Sequence, residues 1–143
     1  MEFEKKVAVV TGGAKGIGKT IAEELQKNGA VVCIIDKLPN AYFVGDVAEQ
    51  SALEAFSRKV IGDYGHVDFL INNALPLMRG IDDCTFKDFE YALRVGITAP
   101  FYLTKLFLPY FAPGASIVNI SSSRDRIDHR QKAILQPKAA SPL

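Results

Sequence analysis

The chain has 143 residues, of which 48% are hydrophobic and 23% charged, and its formal net charge at pH 7 is +1. This composition is typical of a single globular domain and excludes a disordered or fibrous chain. A charge so close to zero gives no electrostatic reason to expect nucleic acid or an anionic membrane as a partner. The charge is unevenly spread, because residues 1–123 carry 12 basic and 14 acidic side chains and residues 124–143 carry five and two.

Cysteine usage and the chain's apolar stretches favour a cytoplasmic protein. Cys33 and Cys84 form no CxxC pair and no Cys/His cluster, so we predict neither a disulfide framework nor a metal site. The first residues lead into an apolar strand without a signal-peptide pattern. The most apolar stretch, residues 101–111, is too short to span a bilayer.

Strand and helix patterns alternate along the first 123 residues. Short apolar runs predict strands at 7–10, 31–35, 42–44, 69–71 and 117–120. Helical spacing predicts helices from Ile17 to Asn28, over 53–64 and over 86–93; residues 46–49 are arranged like a capping box and 85–88 like another helix start. This alternation predicts a doubly wound α/β fold, a parallel sheet with helices on both faces. The pattern stops after Ser123, so we expect the sheet to be incomplete on its C-terminal side.

A glycine-rich segment, TGGAKGIG at residues 11–18, lies between the first strand and the first helix. Glycines there let the backbone turn tightly and bring its N–H groups close to phosphate oxygens, and the helix adds its positive N-terminus. Two nucleotide-binding interpretations fit. Residues 13–20, GAKGIGKT, match the P-loop pattern GxxxxGK[ST], with Asp36 as the magnesium-side acid. Alternatively Gly12, Gly16 and Gly18 hold a dinucleotide, and Asp36, eighteen residues after Gly18, bonds its ribose hydroxyls.

Three further motifs fall just after predicted strands: Asp46-Val47, NNA at residues 72–74 and NISS at residues 119–122. In parallel α/β folds that edge of the sheet is where ligands bind. Together with TGGAKGIG and Asp36, in this order and spacing, the motifs resemble the short-chain dehydrogenase/reductase family over roughly residues 5–123. The resemblance implies a Rossmann-like fold and NAD(P)-dependent hydride transfer to or from a carbonyl or alcohol. A non-catalytic NAD-binding module and a P-loop NTPase are the alternatives.

The resemblance also implies roles for individual residues. Asp36 would accept from the ribose hydroxyls and repel a 2′-phosphate, so NAD is expected rather than NADP, although Lys15 and Lys37 carry charges that favour the phosphate. Ser122 corresponds to the catalytic serine, which holds the oxygen of a small alcohol or ketone substrate. Residues 97–111 correspond to a helix through which the family forms homo-oligomers. The implied cofactor-binding residues are Gly12, Lys15, Gly16, Ile17, Gly18, Asp36, Lys37, Asp46, Val47, Asn73 and Ala74.

The family's acid/base pair, YxxxK, is missing from the chain. None of the five tyrosines has a lysine four residues later, and none follows Ser122. Leu75 replaces the glycine of the family's NNAG motif, and Gly96 stands where the family has a catalytic asparagine. Shifted by one base, the codons compatible with residues 132–143 permit a run containing Ser-Tyr-x-Ala-Ala-Lys. We interpret residues 124–143 as a non-family tail that is out of frame or disordered. We also expect an inactive chain, because losing a general acid/base lowers the rate roughly 10²–10⁴-fold.

Overall fold

The computed structural model describes residues 1–77 and 79–121, in which strands and helices alternate in the predicted order. Ser122 and the predicted tail, residues 124–143, lie outside the described residues. The strands are β1 (Val7–Thr11), β2 (Val31–Asp36), β3 (Phe43–Val44), β4 (Val67–Asn72) and β5 (Phe111–Asn119). The helices are α1 (Gly16–Lys27), α2 (Gln50–Tyr64), α3 (Phe86–Leu93) and α4 (Ala99–Phe107).

The five strands form one parallel sheet in the order β3-β2-β1-β4-β5. The chain runs outward from β1 to β3, and α2 then carries it back across the sheet to β4. The strand order therefore reverses between β1 and β4, which opens a crevice at the carboxyl ends of these two strands. This topology confirms the predicted doubly wound, Rossmann-like sheet.

Helices cover both faces of the sheet, and successive residues of β1 feed two separate cores. Val7 and Val9 belong to a core shared with α2 and α4, in which the rings of Phe56 and Phe107 meet edge to face with centroids 6.3 Å apart. Ala8 and Val10 pack instead in a second core that includes Ala22 of α1. Each large apolar side chain buried this way contributes about 1.5–3 kcal/mol relative to an exposed one.

The C-terminal part of the described chain differs from the sequence prediction in two respects. Residues 97–111 do not form one helix: a π-helical turn (Arg94–Thr98) leads into α4, a 3₁₀ turn (Leu108–Tyr110) follows, and β5 takes the last residue. Pro109 has no N–H to donate to a continuing helix, which explains why the chain tightens there. Strand β5 starts six residues earlier than predicted, because Gly114 at φ +80° and an irregular register opposite Val67 extend it.

The two helix starts also have different outcomes. The predicted capping box at residues 46–49 is wrong: α2 begins four residues after Asp46 and no side chain caps it. The Asp46 carboxylate instead accepts from the N–H of Ala48 at 2.9 Å, which makes a turn before the helix. The start at Thr85 is confirmed, since Thr85 Oγ1 accepts from the Asp88 N–H and the Asp88 carboxylate accepts from the Thr85 N–H. None of the described helices has the length and apolarity needed to cross a membrane.

Candidate functional site

A cleft of about 540 Å³ opens at the carboxyl ends of β1, β2 and β4. Its volume falls in the range of small-molecule sites, about 300–1,000 Å³. The cleft lies at the reversal of strand order, where doubly wound sheets bind their ligands. All eleven residues proposed from the sequence as cofactor-binding line it, and their roles stay predictions: Gly12, Lys15, Gly16, Ile17, Gly18, Asp36, Lys37, Asp46, Val47, Asn73 and Ala74.

The glycine loop has a backbone that other residues would not allow. Gly12 and Gly16 have φ angles of +67° and +59°, in the left-handed region that side chains disfavour. A Cβ on Gly18 would lie 2.2 Å from the Gly12 carbonyl oxygen and 2.3 Å from Asn73 Nδ2. On Gly16 a Cβ would meet no described atom within 4 Å, so the backbone there is open to the cleft.

Thr11 and Asn73 clamp the loop to the end of β4. The Asn73 amide donates from Nδ2 to the carbonyl oxygens of Thr11 and Gly12, at 3.1 and 3.0 Å. In return, Thr11 Oγ1 accepts from the backbone N–H groups of Asn73 and Ala74, at 3.0 and 2.9 Å. Thr11 and Asn73 are both buried. Four hydrogen bonds therefore fix the loop to the neighbouring strand, a function of Thr11 that the sequence analysis did not predict.

Asp36 ends β2 with its carboxylate turned toward the glycine loop. One oxygen, Oδ2, accepts from the N–H of Ala14 at 3.0 Å, and the other, Oδ1, accepts from the N–H of Leu38 at 2.9 Å. A carboxylate oxygen has two acceptor positions, so each retains one for a ligand hydroxyl. The side chain is thus held in place by the backbone and can still bind a ligand.

Asp46, Tyr91 and Lys37 form a second polar group on the cleft wall. The Tyr91 hydroxyl donates to Asp46 Oδ2 at 2.8 Å, and the Lys37 ammonium lies 5.2 Å from the centre of the Tyr91 ring. A hydrogen bond with the Tyr91 side chain raises the pKa of Lys37, and burial raises the pKa of Tyr91. Sequence analysis missed Tyr91, because its place on α3 carries no motif that connects it to a site.

A smaller cavity of about 150 Å³ adjoins the cleft, and both share Val47 and Ala74 in their linings. Gly96 and Ser121 also line this cavity. It therefore extends from the cleft toward the end of β5. Within residues 1–77 and 79–121 no group of three His, Cys, Asp or Glu side chains is placed to hold a metal ion.

The strand order, the glycine loop after β1 and the acid that ends β2 are those of a Rossmann-like doubly wound fold. The family model described as short chain dehydrogenase matches residues 6–131. The chain belongs to the short-chain dehydrogenase family, a family of oxidoreductases.

Known proteins similar to this chain include an uncharacterized oxidoreductase of Thermotoga maritima, 33% identical over 141 residues, with 85% of this chain and 55% of the relative covered. A mouse 15-hydroxyprostaglandin dehydrogenase [NAD(+)] is 33% identical over 145 residues, with 85% of this chain and 51% of the mouse protein covered. A short-chain dehydrogenase of Burkholderia cenocepacia, solved in complex with NADP, superposes with a TM-score of 0.84 at 26% identity, covering 99% of this chain and 64% of that one. The chain spans about half the length of the two curated relatives.

Proposed function

We propose that this chain binds a nicotinamide dinucleotide in the cleft at the carboxyl ends of β1, β2 and β4. The observation that carries the proposal is the meeting, in one cleft, of the glycine loop, Asp36, Asp46-Val47 and Asn73-Ala74, which are spread over more than sixty residues of sequence. When bound, the nicotinamide supplies a carbon that accepts or donates a hydride.

The glycine loop suits the pyrophosphate of such a ligand. Gly16 presents open backbone to the cleft, and no described side chain caps the start of α1, so its first N–H groups can donate to phosphate oxygens. Lys15 lines the same part of the cleft and adds a positive charge. The clamp between Thr11 and Asn73 keeps these donors in position before the ligand arrives, which lowers the entropy lost on binding.

Asp36 favours NAD over NADP. Its carboxylate is held by two backbone N–H groups and retains acceptor positions for ribose hydroxyls. A 2′-phosphate at the same place would bring a second negative group against it, and like charges brought together disfavour that ligand. Relatives differ in this respect, since the mouse protein is named for NAD(+) and the Burkholderia structure holds NADP.

Two side chains argue against the P-loop alternative, which needs Lys19 and Thr20 at the phosphates. The Lys19 ammonium pairs instead with Glu23 along α1, at 3.7 Å, and Thr20 Oγ1 donates to the Gly16 carbonyl at 3.3 Å. The cleft lining known from the described residues contains neither of them. This placement favours a dinucleotide whose pyrophosphate contacts backbone rather than a triphosphate held by a lysine.

For the reaction, we propose oxidation of an alcohol or reduction of a ketone as the family activity, with this 143-residue chain unable to complete it. No tyrosine of the sequence has a lysine four residues later, so the family's proton donor has no counterpart. Gly96, which lines the smaller cavity, also stands where the family resemblance leads us to expect a catalytic asparagine. A cofactor-binding domain without turnover is the state we propose for the purified chain.

Titration of the purified chain with NADH, NADPH and ATP–Mg²⁺, followed by fluorescence and calorimetry, tests the proposal. We expect saturable binding of NADH, weaker binding of NADPH and no comparable binding of ATP–Mg²⁺. Tighter binding of ATP–Mg²⁺ than of NADH contradicts the dinucleotide proposal. NADH formation from NAD with a secondary alcohol, above the rate without protein, contradicts the proposed lack of turnover.

A further inference from the structure

Lys37 directly follows Asp36 in sequence, yet its side chain turns away toward a different part of the cleft. Its ammonium lies over the ring of Tyr91, 5.2 Å from the centroid. Tyr91 in turn donates its hydroxyl proton to Asp46, whose other oxygen is occupied by the Ala48 N–H. Lys37, Asp46 and Tyr91 therefore form one connected group at one end of the cleft. Lys37 follows β2, Asp46 follows β3, and Tyr91 lies on α3.

We propose that Tyr91 is a cofactor-specificity residue, which holds the Lys37 ammonium against the Asp46 side of the cleft and keeps it from a ribose 2′-phosphate. The inference rests on the proposed nicotinamide site and extends it. A basic residue next to the ribose-binding acid is otherwise placed to attract the phosphate, and would oppose the discrimination that Asp36 provides.

Several contacts make this position of Lys37 stable. The face of an aromatic ring attracts an ammonium group, and a carboxylate bonded to the same ring's hydroxyl adds negative charge nearby. Tyr91 is only partly exposed, so its ring cannot turn freely into solvent. Removing the ring leaves Lys37 a long side chain without its present partner, which can then reach toward a phosphate near Asp36.

The test compares NADH and NADPH dissociation constants, by nicotinamide fluorescence, for wild type and three variants. Tyr91→Leu removes both ring and hydroxyl, and we expect the affinity for NADPH relative to NADH to rise roughly three- to tenfold. Tyr91→Phe removes the hydroxyl that bonds Asp46 but keeps the ring beneath Lys37. The affinity for NADPH relative to NADH should therefore rise less, about two- to threefold. In Tyr91→Leu/Lys37→Met the gain should disappear, because the freed ammonium is its source.

Tyr102→Leu is the matched control, because Tyr102 also bonds a carboxylate, that of Glu54, and does not belong to the described lining of the cleft. We expect the NADPH-to-NADH ratio of Tyr102→Leu to equal that of wild type. A ratio unchanged in both Tyr91 variants overturns the inference while leaving the proposed function intact. A gain that persists in the double variant also overturns it. A wild-type chain that binds neither nucleotide refutes the proposed function, and the inference with it.

Discussion

Gly18→Ala is the substitution that probes the glycine loop most sharply. The new methyl group would lie 2.2 Å from the Gly12 carbonyl oxygen and 2.3 Å from Asn73 Nδ2, far inside van der Waals contact distance. Those two atoms are themselves hydrogen-bonded at 3.0 Å, so the methyl group has to displace one of the bonds that clamp the loop to β4. One of these atoms belongs to the backbone and the other to a buried amide, so moving either of them costs free energy.

The cost follows from the interactions lost. Displacing the Asn73 amide sacrifices its bonds to Thr11 and Gly12, about 0.5–1.5 kcal/mol each, and overpacking adds to this. We expect a loss of about 2–4 kcal/mol in the free energy of unfolding, measured by urea denaturation with an unchanged m value. NADH binding should weaken at least tenfold, because the pyrophosphate donors shift with the loop.

Two other glycines provide the controls for this measurement. In Gly16→Ala the new methyl group has no described atom within 4 Å. Only the φ angle of +59° disfavours the side chain, so we expect a loss of about 1 kcal/mol in the free energy of unfolding. Gly62→Ala in α2 also meets open space and should stabilise the helix by up to about 1 kcal/mol. If Gly18→Ala were as stable as Gly16→Ala, the tight contact between the loop and Asn73 described above would be refuted.

Three further predictions concern charge and burial. Asp36→Asn keeps an acceptor but removes the negative charge, so the NADPH affinity relative to NADH should rise about tenfold in paired fluorescence titrations. The buried Asp68 carboxylate accepts from the Val7 N–H and pairs with His66 and Lys6. Asp68→Asn should therefore lower the free energy of unfolding in urea by about 1–3 kcal/mol. The control Glu23→Gln, which breaks an exposed ion pair with Lys19, should leave it almost unchanged. Burial raises the pKa of Cys33 to about 11, which lowers its thiolate fraction at pH 8 roughly 100-fold, so a maleimide should label Cys84 in the native protein and Cys33 only after unfolding. An unchanged ratio of NADPH to NADH affinity in Asp36→Asn would contradict the first prediction. Equal losses of stability in Asp68→Asn and Glu23→Gln would contradict the second, and equal labelling of both thiols in the native protein would contradict the third.

The central strands and the glycine loop could be predicted from sequence because their signals are local. Residues 7–10 are a continuous apolar run, and the glycines that follow are required by the backbone itself, through the φ angles of Gly12 and Gly16 and the contact at Gly18. The family resemblance then related Asp36 and Asp46 to the same ligand. Their meeting in one cleft is a consequence of parallel strands that end at the same edge.

The parts that could not be predicted depend on contacts between distant segments. Asp46 looks like a helix cap in sequence, but Tyr91, 45 positions away, takes one of its oxygens and α2 starts later. Similarly, nothing near Pro113 or Gly114 suggests a strand, and β5 includes both because it pairs with β4 on either side of them, at Phe111 and again from Ser116. Apolar periodicity is equally silent about Thr11, whose hydroxyl accepts from two N–H groups more than sixty residues away.

The central claim is that a nicotinamide dinucleotide occupies this particular cleft, and an NMR titration of the ¹⁵N-labelled chain with NADH tests it most directly. We expect saturating shifts in the backbone amides of the glycine loop, of residues 36–38 and 46–47, and of Asn73 and Ala74, all of which belong to or border the cleft. The amides of Lys59 and Asp63, on the exposed side of α2, should not move. Saturable shifts confined to residues outside the cleft, or no saturable shifts at all, would contradict the account.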